Sequence, residues 1–257
     1  MMTPNSSRVL LAILLGITAA GANVLGGSLV AHRNWSRHYL KYFIALGAGF
    51  MLATALIEMI PESLKLAGES SPGFFGAANA VFLYVLAGYF LVHFFEHTVA
   101  PHFHFGEETH CEEISHAHAS YAALLGLVIH TFFDGVAIAS GLLVSTWLGG
   151  VIFTAVFLHK LPEGFTVASL MLASGQSRRM AFVSAAILGG ATLLGMALMF
   201  SLRGAVGEAL PFSAGVTLYV AASDLIPEVN REPSFGMAVL VFLGVAILLA
   251  LKLVFHV

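Results

Sequence analysis

His130-Thr131-Phe132-Phe133-Asp134-Gly135 and His159-Lys160-Leu161-Pro162-Glu163-Gly164 decide how this chain is to be read. Both fit H-x-x-x-[D/E]-G. Each interrupts an apolar segment, roughly 119–143 and 148–173, and a helix crosses a bilayer with about 20 apolar residues. The spacing predicts two consecutive membrane helices joined by a short turn near Trp147, Gly149 and Gly150. Residues i and i+4 share a helix face, so each helix presents an imidazole above a carboxylate. If those faces meet, two nitrogens and two carboxylates converge. That donor set suits a divalent transition metal, zinc above all.

Composition agrees with a membrane setting. Of 257 residues, 58% are hydrophobic and 10% charged, against about 25% charged in soluble domains, and mean hydropathy is +0.91. A net charge of −3 gives no reason to propose nucleic-acid binding. The single Cys111 excludes an intrachain disulfide framework. Histidine is over-represented, with seven of the twelve between 93 and 118.

Six further apolar runs, at about 8–31, 41–64, 74–97, 180–202, 208–228 and 235–255, flank the central pair. The reading is an all-α membrane protein of eight transmembrane helices forming one domain over 1–257. The first run continues past Ala19, Ala20 and Ala22 to Val30, so it is expected to be kept as a span rather than cleaved as a leader. The sixth run is rich in small residues, which permit close packing. Glu58-Met59-Ile60-Pro61-Glu62 in the second span recurs as Asp224-Leu225-Ile226-Pro227-Glu228 in the seventh. Even- and odd-numbered spans run in opposite directions, so this repeat is inverted. It sets helices 1–3 against 6–8 around the central 4/5 pair, an organisation characteristic of secondary transporters.

Lys and Arg in short loops set orientation. With the N-terminus outside, the inner loops hold Arg33, Arg37, Lys41, Arg178, Arg179 and Arg231, and the outer side Arg8, Lys65, Arg203 and Lys252. The bias favours both termini outside and places the histidine-rich loop, about 98–118, in the cytoplasm.

Ionisable groups inside a span cost several kcal/mol and mark function. His130, Asp134, His159 and Glu163 are the candidate metal ligands. Lys160 points about 100° from His159 around the helix, and a protonated amine has no lone pair for a metal. Its expected role is a fixed positive charge beside Asp134 or Glu163; Thr131 holds the corresponding place on the fourth span. Pro162, Gly135 and Gly164 are expected to weaken the local helix and free carbonyls. Glu58 and Glu62 toward the outside, and His93, Glu96, His97, Asp224 and Glu228 toward the cytoplasm, form a candidate cation path. His102, His104, His110, His116 and His118 in the loop are candidates for weak metal contacts.

Eight spans, a histidine-rich loop between the third and fourth, and the paired H-x-x-x-[D/E]-G motifs resemble the ZIP (Zrt/Irt-like protein) family of metal-ion transporters. The P-E-G of the fifth span looks most like its bacterial, GufA-type branch. The resemblance covers essentially the whole chain. It implies a non-enzymatic importer of Zn²⁺, often also of Fe²⁺, Mn²⁺ or Cd²⁺, in the cell membrane. The metal is cargo rather than cofactor, and homodimers are frequent. Carried over residue by residue, the primary site falls on His130, Asp134, His159 and Glu163. Many members build a second metal site from an asparagine and an acid just after the two histidines; here those positions are Thr131 and Lys160. The departure implies a single-metal centre in which the Lys160 ammonium replaces the second cation. Two other classes compete. An intramembrane zinc hydrolase wants three ligands, an open position and a base, and H-E-x-x-H is absent. A metal sensor wants a folded output domain, and the 98–118 loop is too short for one.

Overall fold

The computed structural model describes residues 6–32, 38–68, 76–98, 117–230 and 234–255. Every long element among them is a helix, and there is no strand. In chain order these are α1 (Ser6–His32), α2 (His38–Ala53, continued by Thr54–Met59 and Ile60–Gly68) and α3 (Gly76–Thr98). Then come α4 (Ala117–Val144), α5 (Thr146–Ala173) and α6 (Arg178–Ser201). Last are α7 (Val206–Tyr219, continued by Val220–Leu225 and Ile226–Asn230) and α8 (Phe235–Phe255). All eight are long and apolar enough to cross a membrane.

Depth in the bundle follows sequence. Within its most apolar window α5 is 72% buried, whereas α3 is 22% and α8 11% buried. The outer helices therefore offer their Phe, Leu and Val side chains to lipid, and the polar motifs of α4 and α5 stay inside. α1 packs on α5 and α6, and α4 packs on the same two helices, giving a central four-helix bundle. α2 pairs with α8, and α3 with α7, on its flanks. Helices 1–3 and 6–8 of the inverted repeat thus surround the central α4/α5 pair. Each repeat sends its first helix into the bundle and its other two to a flank.

Glycines explain why. A Cβ on Gly164 would overlap the Asn23 carbonyl, and one on Gly26 the Leu161 carbonyl, so α1 and α5 cross backbone to backbone. Gly135 meets Thr192 and Gly195 meets Phe132 in the same way between α4 and α6. Gly49 and Gly244 bring α2 against α8, and Gly88 and Gly215 bring α3 against α7. The first and second contacts, and the third and fourth, exchange under the inverted repeat.

The repeat also carries a π-helical segment. Thr54–Met59 precedes Pro61 and Val220–Leu225 precedes Pro227. After each, the Ile60 and Ile226 amides reach back five residues, to Ala55 and Ala221. A proline cannot supply its ladder hydrogen bond, and a widened turn before it takes up the mismatch.

The central hairpin turns at Ser145, not at Trp147, Gly149 and Gly150. Ser145 caps α5 by accepting from the Leu148 amide at 3.0 Å, which starts the helix at Thr146. Gly149 lies inside α5, where its missing side chain makes room for Leu142 and Gly141. The next turn closes through Gly175 at φ 81°, with Gln176 N donating to Met171 O and Gly175 N to Leu172 O, the glycine end that a left-handed residue requires.

Candidate metal centre

His130 and Asp134 lie near the middle of α4, and His159 and Glu163 near the middle of α5. All four are buried, and one ligand atom from each lies within 4.8 Å of the other three. Among the described residues this is the one grouping of its kind. Adjacent antiparallel helices that touch at Gly141 and Gly149 bring the two i, i+4 faces together.

His159 Nδ1 faces the Ala155 carbonyl at 3.1 Å. That bond sets the proton on Nδ1 and leaves the Nε2 lone pair aimed inward. Nε2 lies 3.3 Å from Asp134 Oδ2 and 3.4 Å from His130 Nε2, which is itself 3.1 Å from Asp134 Oδ2. Lone pairs directed at a carboxylate oxygen repel it unless a proton or a metal cation stands between them. Asp134 Oδ1 and His130 Nδ1 have no hydrogen-bond partner among the described residues. The donor set has the nitrogens and oxygens that zinc prefers.

Lys160 completes the charge pattern. It is 0% exposed, so its head does not snorkel to a membrane surface. Its Nζ lies 2.6 Å from Asp134 Oδ2, 2.6 Å from Glu163 Oε2 and 3.2 Å from Thr131 Oγ1, which uses all three ammonium donors. Thr131 Oγ1 donates in turn to Glu163 Oε1. The positive charge expected beside one carboxylate bridges both. Pro162, Gly135 and Gly164 do not break their helices. α4 and α5 run through them unbroken, and the two glycines serve close packing instead. Pro162 has no N–H for the Leu158 carbonyl, one residue before His159.

The residues read as a path divide between two mouths. Glu58, only 7% exposed, is ion-paired with Lys252 of α8 at 2.8 Å. The pair is part-buried, its Lys252 side chain 34% exposed, and Lys252 belongs to a helix rather than to a loop. Glu62 binds Lys65 at 2.9 Å. At the other mouth the Tyr219 hydroxyl donates to Glu96 at 2.7 Å, Tyr89 and Ser223 are 2.9 Å apart, and Asp224 is buried nearby. His93 and His97 stack at a centroid distance of 4.1 Å on the exposed side of α3. Glu228 sits in the last turn of α7. His102, His104, His110 and His116 lie outside the described residues, and His118 falls in the first turn of α4. The sequence placed Lys252 only as an outer charge, and it left out Tyr219 and the pairing of the glycines across the repeat. The glycine signal was present as matching positions on repeat-related helices, but it needed the repeat to be aligned beyond its acidic motif.

The ZIP Zinc transporter family model matches residues 7–123 and 104–252 of this chain. The chain is similar to the zinc transporter ZIP9-A of Xenopus laevis, 27% identical over 90% of this chain and 89% of that protein. It is also similar to the zinc transporter ZupT of Shigella flexneri serotype 5b, 28% identical over 88% and 91%. The zinc transporter zipt-7.1 of Caenorhabditis briggsae is 26% identical over 85% of this chain and 68% of that protein.

Proposed function

The chain belongs to the ZIP zinc transporter family, and from that premise we propose that it moves Zn²⁺ into the cytoplasm through the centre between α4 and α5. It transports zinc across the membrane its eight helices span. His130, Asp134, His159 and Glu163 hold the ion in transit, and Lys160 supplies the fixed charge that a second metal supplies elsewhere. The observation that carries this reading is the convergence of the four ligand atoms within 4.8 Å in a buried place halfway along two spans. A cation there neutralises carboxylates that lipid cannot solvate. Labile rather than retained metal follows from a site reached from either side as one helix group moves against another.

The test is Zn²⁺ uptake into proteoliposomes holding a fluorescent zinc indicator. Wild type is expected to show saturable influx, and His159→Ala to lose it while keeping its fold. Influx that survives in His159→Ala removes the central site from the pathway. The same assay with Cd²⁺, Fe²⁺ and Mn²⁺ ranks the substrates.

A further inference from the structure

The inverted repeat makes the two mouths comparable residue by residue, and they carry opposite charge. Gly49 of α2 and Gly215 of α7 are equivalent, as are Gly88 of α3 and Gly244 of α8, because each pair makes the same contact with its partner helix. Counting forward equally from these glycines, Glu58 matches Asp224 and Lys252 matches Glu96. At the α3/α7 mouth, then, both matching positions are acids: Glu96 accepts from the Tyr219 hydroxyl at 2.7 Å, and Asp224 is buried on the same helix as Tyr219. At the α2/α8 mouth the acid faces an ammonium, 2.8 Å away. The surroundings differ in the same sense. Tyr89, Tyr219 and Ser223 line the α3/α7 mouth with hydroxyls. The matching residues at the α2/α8 mouth are Val245, Ala53 and Ile57, which bring no hydroxyl to the Glu58–Lys252 pair.

We propose that the Lys252 ammonium is a built-in cation at the α2/α8 mouth, filling the position beside Glu58 that a divalent metal would otherwise occupy and so setting which cations this mouth admits. The inference rests on the transport reading above. An ammonium at 2.8 Å is a competitor that an entering ion must displace from Glu58. A divalent ion, with twice the charge on one centre, displaces it more readily than a monovalent ion does. The mouth thereby discriminates before the ion reaches His130 and His159. Lys252 is a specificity-determining residue and not a ligand, since a protonated amine donates and does not coordinate.

The experiment uses the full chain. Zn²⁺ binding is measured by equilibrium dialysis in detergent, and Zn²⁺ uptake in proteoliposomes, for wild type, Lys252→Met, Lys252→Gln, Lys252→Arg and Lys252→Met combined with Glu58→Gln. Lys252→Met and Lys252→Gln are expected to bind one additional zinc per chain over wild type. Their uptake at sub-saturating zinc should rise about two- to fivefold, the range a partly exposed ion pair supports, and become sensitive to Na⁺. Lys252→Arg should match wild type. The double variant should lose the additional zinc. Wild-type stoichiometry in both neutral variants, or extra zinc that persists without Glu58, overturns the proposal. If no variant, wild type included, moves zinc, the transport reading falls, and the dialysis alone still decides the role of Lys252.

Discussion

At residue scale the informative side chain is Lys160. Burying an ammonium is unfavourable unless every donor finds an acceptor. Here Asp134, Glu163 and Thr131 take all three. Removing one member of such a buried set typically costs about 3–5 kcal/mol, so the lysine and the two acids are interdependent. The same logic predicts metal content. Lys160→Glu takes away two units of positive charge at the centre, the deficit one more divalent cation fills. We expect zinc at the core to rise from one to two per chain in that variant, measured by equilibrium dialysis with His130→Ala as the reference that strips the core. An unchanged stoichiometry would falsify the single-metal assignment. His159 shows what a backbone carbonyl contributes: the Ala155 contact at 3.1 Å orients the ring without any second side chain.

At the scale of elements, glycines and not polar side chains fix how helices cross. Lipid gives helices no hydrophobic reason to associate, so close backbone approach and dispersion contacts carry the packing. Gly164 shows this most directly, because it follows Glu163 and meets the α1 backbone at Asn23. Gly164→Ala is expected to force α1 from α5 and destabilise the protein by about 1–3 kcal/mol, read as a lower melting temperature in detergent. Gly190 in α6 has open space around it. Gly190→Ala is therefore expected to be neutral or stabilising by up to about 1 kcal/mol. Equal losses in the two variants would mean that helix propensity, not interhelical space, governs these positions. The π-helical segments before Pro61 and Pro227 belong to this scale too. They were legible only as prolines beside acids, because a hydrogen-bond register is not written in residue type.

At the scale of the whole molecule, the eight spans put both termini on one side and the 98–118 loop on the other. From the Lys and Arg bias we propose that this loop lies inside. Cys111 is the one cysteine and lies within the loop, so it reports the orientation unaided. In intact cells it is expected to resist a membrane-impermeant maleimide, and in inverted vesicles to react. The opposite pattern reverses the orientation, and with it the assignment of the Glu58 mouth to the outside and of the Asp224 mouth to the cytoplasm. The pseudo-symmetry is a constraint on mechanism as well. The two ends built from the same pieces differ in Lys252 against Glu96 and in Tyr219 against Ala53, an asymmetry that the repeated fold alone does not supply.

The sequence by itself determined that the chain is helical, crosses a membrane and repeats itself inverted. It also picked out His130, Asp134, His159 and Glu163, because hydropathy and i, i+4 spacing are local properties, and a polar residue in an apolar run stands out wherever the run is packed. Tertiary structure alone decided the partners. It bridged Lys160 to both carboxylates, set Lys252 on Glu58 across the long interval between them, and drew α1 and α6 into the bundle with α4 and α5. Those outcomes depend on which backbones approach closely enough to touch, and that is a property of pairs of helices rather than of any one stretch of chain.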